Sequence, residues 1–154
     1  MKLDAAGYAL IKGFEGLRLD AYLDKAGVWT IGYGSTRYAN GAPVKKGDYL
    51  LNKQCADDLF THTLAPYENA VNASVKVPIT QNQFNALVSF DYNEGTGALH
   101  NSHLLARLNA KDYAGAAQEF LKWDKITDPQ TGQHEVLDDL VKRRKKESAL
   151  FLAA

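Results

Sequence analysis

Two carboxylates and a hydroxyl stand close together near the start of the chain: Glu15, Asp24 nine residues on, and Thr30 six residues after that. A carboxylic acid on one side of a glycosidic bond, with a carboxylate and a hydroxyl on the other, can hydrolyse that bond. The acid protonates the leaving oxygen while the other two groups hold the attacking water. Glycines at 13 and 16 flank Glu15, where a ligand can approach the backbone closely. The bland alternatives are a turn residue at Asp24 and a helix-end surface group at Glu15, and spacing alone does not choose between them.

Other chemistry has weaker support in the residues. No Gly-x-Ser-x-Gly segment occurs, so a serine nucleophile elbow is absent. His100 and His103 are three apart and can share a helix face, but no further ligand motif accompanies them; they read as exposed histidines at a helix entrance. Gly32-Tyr33-Gly34 lacks the third glycine and following helix of a phosphate loop. The lone Cys55 cannot form an internal bridge and reads as a small core residue, and no metal or cofactor is expected. The run Lys142-Arg143-Arg144-Lys145-Lys146 reads as a solvated basic face near a helix end. With 18 Lys and Arg against 18 Asp and Glu, zero net charge argues against a nucleic-acid partner.

The elements that must position these groups follow from periodicity. Leu3, Gly7, Leu10, Ile11 and Phe14 fall on one helical face behind Asp4 as N-cap. From Leu17 the pattern alternates to Leu23, Asp24–Gly27 form a turn, and Val28–Ile31 return as a second strand. A straight strand at ~3.3 Å per residue would carry Asp24 about 20 Å from Glu15, so the hairpin must curl back. Residues 35–49 suggest a short third strand and loops, and everything afterwards reads as helical. Pro66 kinks one helix or starts a new turn, Thr80 to Gln83 form a capping box, and Asp128 to Gly132 make a surface turn.

The fold class expected is α+β with two lobes, a small antiparallel sheet near the N-terminus and a mostly helical C-terminal lobe. The expected boundaries are a single domain over 1–154, with one lobe over about 15–65 and the helical lobe over about 66–154 plus helix 4–14. A chain of 154 residues with 45% hydrophobic residues can bury a core without disulfides. The N-terminal segment has Asp4 and Lys12 where a secretory signal needs other residues, and no run reaches the ~20 apolar residues of a membrane span. Synthesis in a cytoplasm without a membrane anchor is the expectation.

The stretch Glu15-Gly16-Leu17-Arg18-Leu19-Asp20-Ala21-Tyr22-Leu23-Asp24, then Gly27 and Thr30-Ile31-Gly32-Tyr33-Gly34, resembles the signature of the phage-type lysozymes, glycoside hydrolase family 24. Ser89–Gly97, Asn101-Ser102-His103-Leu104-Leu105 and Leu140–Phe151 extend the resemblance over nearly the whole chain. It implies a lysozyme-like fold and an endolysin-type muramidase, cleaving the β-1,4 bond between N-acetylmuramic acid and N-acetylglucosamine with inversion. Glu15 would be the general acid, Asp24 would hold or activate the water, and Thr30 would help position it. Arg143 matches an arginine that pairs with the catalytic glutamate, and Thr36, Tyr92 and Ser102 fall at saccharide-contact positions. The resemblance also implies peptidoglycan as partner, accumulation in the host bacterial cytoplasm, and access to the wall through a holin-formed lesion. A monomer is expected. Two departures stand out: Ser35 replaces a frequent histidine, and the loop Gly132–Leu137 lacks the usual Gly-Leu pair. A lytic transglycosylase and a non-catalytic wall-binding protein are the alternatives.

Overall fold

The N-terminal helix forms over Ala5–Glu15 as α1, capped as expected: Asp4 Oδ1 accepts the Gly7 amide at 2.9 Å. The computed structural model describes residues 1–153. Next come strands β1 (Arg18–Leu23) and β2 (Trp29–Gly32), then helices α2 (Lys53–Ser74), α3 (Gln81–Glu94), α4 (Thr96–His100), α5 (His103–Asn109) and α6 (Tyr113–Phe120). A second strand pair, β3 (Lys125–Thr127) and β4 (His134–Val136), precedes the last helix, α7 (Asp138–Leu152). The chain divides into one unit over Tyr8–Pro66 and another comprising Met1–Gly7 with Tyr67 onward. The division thus passes through α1, whose residues from Tyr8 group with the sheet rather than with the helical lobe.

In the unit over Tyr8–Pro66 the antiparallel pairing sets Arg18 opposite Gly32 but Tyr22 opposite Thr30. Four steps along β1 are therefore matched by two along β2, a bulge that bends the strand. The bulged residues turn to another partner: Leu19 carbonyl accepts the Leu50 amide at 2.8 Å, and the Ala21 amide donates to Asp48 carbonyl at 2.9 Å. The third strand expected within 35–49 is only a set of single bridges, Asp20 with Tyr49 and Arg37 with Pro43, so this sheet is two-stranded. Gly41 and Gly47, both at positive φ, and Pro43, which has no N–H, interrupt any longer ladder. Ile31, Val44 and Leu59 form the buried centre, with Trp29, Tyr38 and Leu50 packed against it.

α2 runs unbroken through Pro66, which removes one backbone hydrogen bond without ending the helix. In the other unit the capping box forms as expected: Thr80 accepts the Gln83 amide, and Gln83 accepts the Thr80 amide. Residues 84 to 91 of α3 are all buried, and α7 packs against α3 and α6. Phe90, Phe120, Phe151 and Trp123 make the aromatic centre, with Phe90 edge-on to Phe120 at 5.6 Å and to Trp123 at 5.4 Å. Gly7 packs so tightly that a Cβ there would lie 2.6 Å from Asn85 Oδ1.

Two expectations change and a third holds. Strands β3 and β4 flank the expected turn at Asp128 to Gly132, where no strand was expected; all six of their ladder residues are exposed, so no apolar alternation announced them. His100 and His103 are exposed at a helix entrance as expected, the first ending α4 and the second starting α5. The basic run is not uniformly solvated: Lys142 and Lys145 are exposed, but Arg143 and Arg144 are buried. Arg144 Nε lies 2.7 Å from Glu147 Oε1, and its guanidinium also reaches Glu94 and Asn93. Burial raises Glu147 above the usual carboxylate range, and the two arginines partly offset this.

Candidate active site

Glu15, Asp24 and Thr30 all belong to the unit over Tyr8–Pro66. Glu15 is the last residue of α1 and half-buried. Gly16 follows with φ 72°, a left-handed conformation that turns the chain from helix into β1 at little cost for glycine. Arg18, three residues past Glu15, pairs with Gly32, two residues past Thr30, so the sheet register places the end of α1 beside the end of β2.

Asp24 begins the turn of the hairpin. Its Oδ1 accepts two backbone amides, from Ala26 at 2.9 Å and from Val28 at 2.8 Å. Two bonds to one oxygen fix the carboxylate plane and leave Oδ2 outside this arrangement. Val28 then ties this turn to Thr30. Its carbonyl accepts the Asp24 amide at 3.0 Å and the Thr30 hydroxyl at 2.9 Å. With its proton committed to that carbonyl, Thr30 Oγ1 presents lone pairs and can only accept from a further donor. Thr30 is 4% exposed, so its rotamer is held by packing as well. One exposed residue, Val28, therefore couples the orientation of the two groups expected to hold water. Sequence reasoning missed it because Val28 acts through its backbone.

Tyr22 faces Thr30 across the ladder, and the Arg18 guanidinium stacks 4.5 Å from the Tyr22 ring centroid. Ser35 is buried and shares a 2.7 Å hydrogen bond with Thr63 on α2, which gives this departure a structural role. Thr36 has an exposed side chain and its carbonyl accepts the Val44 amide.

The remaining expected site residues lie in the other unit. Tyr92 is half-buried and edge-on to Tyr67, with centroids 5.1 Å apart. Ser102 is the N-cap of α5: its hydroxyl donates to Leu99 carbonyl at 2.7 Å and accepts the Leu105 amide at 3.0 Å. Arg143 is buried, donating to Ser89 carbonyl at 2.9 Å and lying 3.3 Å from Glu147. Among the described residues no group of three or more His, Cys, Asp or Glu could hold a metal ion.

A family model described as Phage lysozyme matches residues 12–147. The chain is 42% identical over its whole length to the endolysin of Acyrthosiphon pisum secondary endosymbiont phage 1, and covers all of that relative. It is also 42% identical to the endolysin of Bacillus phage B103, with 99% of this chain matched, but it spans only 54% of that protein's length. Among solved structures, the endolysin from Escherichia coli O157:H7 phage FAHEc1 superposes with a TM-score of 0.92 at 39% identity, covering 99% of this chain and 94% of that one.

Proposed function

The chain belongs to the phage lysozyme family and has the lysozyme-like fold, and on that premise we propose that it is a peptidoglycan-degrading endolysin acting as a muramidase. The bond cleaved is the β-1,4 linkage between N-acetylmuramic acid and N-acetylglucosamine. Glu15 acts as general acid on the glycosidic oxygen. A water donates hydrogen bonds to two fixed acceptors, Asp24 Oδ2 and Thr30 Oγ1, which aims a lone pair at the anomeric carbon. As its oxygen bonds to that carbon and the glycosidic bond breaks, one water proton passes to the Asp24 carboxylate and the other stays on the new anomeric hydroxyl. Attack from the face opposite the leaving group inverts configuration. Asp24 also stabilises the positive charge that develops on the sugar ring.

The observation that supports this reading best is the Val28 backbone, which holds Asp24 and Thr30 in one acceptor-only arrangement. Thr36 and Tyr92 are assigned saccharide contacts. For Ser102 the reading is indirect: both bonds of its hydroxyl serve the cap, so its part is to fix the start of α5. The monomer works without metal or cofactor.

Turnover of purified peptidoglycan by the wild type and Glu15→Gln, with products read by mass spectrometry, tests the proposal. Hydrated muropeptides from the wild type and a loss of at least about a hundredfold in the variant are expected. Anhydro-muropeptides would instead mean a lytic transglycosylase, and full activity in Glu15→Gln would remove that residue from the mechanism.

A further inference from the structure

A cluster beside the reacting groups joins the elements that carry them. Asp57, on α2, meets three side chains within its unit. Its Oδ1 lies 2.9 Å from the Lys12 ammonium on α1 and accepts the Tyr33 hydroxyl at 3.0 Å. Oδ2 lies 3.0 Å from Lys53, one turn earlier on α2. The Tyr33 ring also faces Lys12, with the ammonium 5.2 Å from its centroid, and it packs on Phe60 at 5.1 Å. Hydrogen bonds, first from Lys12 and then from Lys53, hold the Asp57 carboxyl down at about 2, so it is charged at any working pH.

The positions of these partners give the cluster its consequence. Lys12 stands one helical turn before Glu15, and its carbonyl accepts the Gly16 amide at 3.0 Å. Tyr33 follows directly on the end of β2, three residues after Thr30. Two positions beside the reacting groups, Gly16 and Gly32, sit at φ 72° and 68° and carry no side chain to lock. Side chains farther along each element supply restraint that these two glycines cannot.

We infer that Asp57 is a positioning residue for the glycosidic cleavage: it fixes the end of α1 through Lys12 and the turn after β2 through Tyr33, so that Glu15 and Thr30 keep their separation during turnover. The inference rests on the muramidase reading above. Asp57 does not touch the substrate in this role; it acts through the two elements it joins.

The variant Asp57→Asn keeps the shape and removes the charge. On soluble peptidoglycan fragments, kcat is expected to fall at least about tenfold while KM stays within about twofold, the pattern of misplaced catalytic groups with binding intact. A thermal melt confirms that the variant is folded at the assay temperature. Hydrogen exchange at the amides of residues 13–16 is expected to accelerate, with the α3 amides unchanged. An unaltered kcat, or a kcat loss that only tracks the unfolded fraction, overturns the inference. Should the folded wild type release no products at all, the muramidase reading fails on its own account. The exchange measurement then still decides the anchor, since unchanged exchange at 13–16 in Asp57→Asn shows that Asp57 does not fix the end of α1.

Discussion

A carboxyl group in a dry helix interface resists ionisation, and Asp91 is such a group. It is fully buried on α3, neither oxygen has a hydrogen-bond partner, and burial pushes it up to about 6. Burial raises Tyr67 on α2 as well, and the Asp91 charge adds to that shift. Because the folded-state value exceeds the unfolded one, Asp91 favours the folded state fully below about pH 4, and that contribution is lost as pH rises through about 6. The full swing is on the order of 2–3 kcal/mol. Asp91→Asn cannot titrate, so its stability relative to wild type is expected to grow between pH 4 and pH 7.5. Urea midpoints at the two pH values check this, and a constant difference would mean that Asp91 titrates normally. At this scale the sequence was legible for groups whose role is local, such as Asp24, whose turn bonds span only four residues. It was silent on Asp91, because dryness comes from other helices.

At the scale of elements, α3 and α7 meet through a buried polar network as well as through apolar packing. Ser89 donates to Glu147, Arg143 and Arg144 both approach the same carboxylate, and Arg144 continues to Glu94. Glu147 and Arg144 are 0% exposed, so each charge depends on its partner rather than on water. Glu147→Gln leaves two guanidinium groups in the interface without their shared carboxylate. Its expected cost is about 3–5 kcal/mol, the usual penalty for removing one partner of a buried pair. Chemical denaturation measures it directly, and a loss below about 1 kcal/mol would show that water or a rearranged Glu94 takes over. The spacing of Arg143 and Arg144 to Glu147 was visible in the sequence as ordinary i,i+4 and i,i+3 pairs. Which of those cations α3 would cover was not. The same limit explains β3 and β4, whose exposed ladder residues carry no periodic apolar mark.

At the scale of the whole molecule, cations and anions balance and no helix among the described residues is long and apolar enough to cross a membrane. The route we propose to the wall is passage from the host cytoplasm through a lesion formed by a holin. Expression of the chain alone is then expected to leave a bacterial culture intact, while co-expression with a holin lyses it. Turbidity after induction separates the two cases, and rapid lysis by the chain alone would rule out that dependence.

The sequence by itself determined what is settled within a few residues of chain: the Asp4 cap, the Thr80–Gln83 capping box, the hairpin turn at Asp24, and the order and spacing of Glu15, Asp24 and Thr30. These depend on backbone donors and acceptors that lie one turn away, so the residue types there suffice. Only the tertiary structure decided the bulge that turns Leu19–Ala21 toward residues 48–50 and the burial of Asp57's partner Tyr33. It also decided that Arg143, Arg144 and Asp91 would be withdrawn from water. Desolvation is set by whatever distant element packs over a group, and no local pattern of residues carries that information.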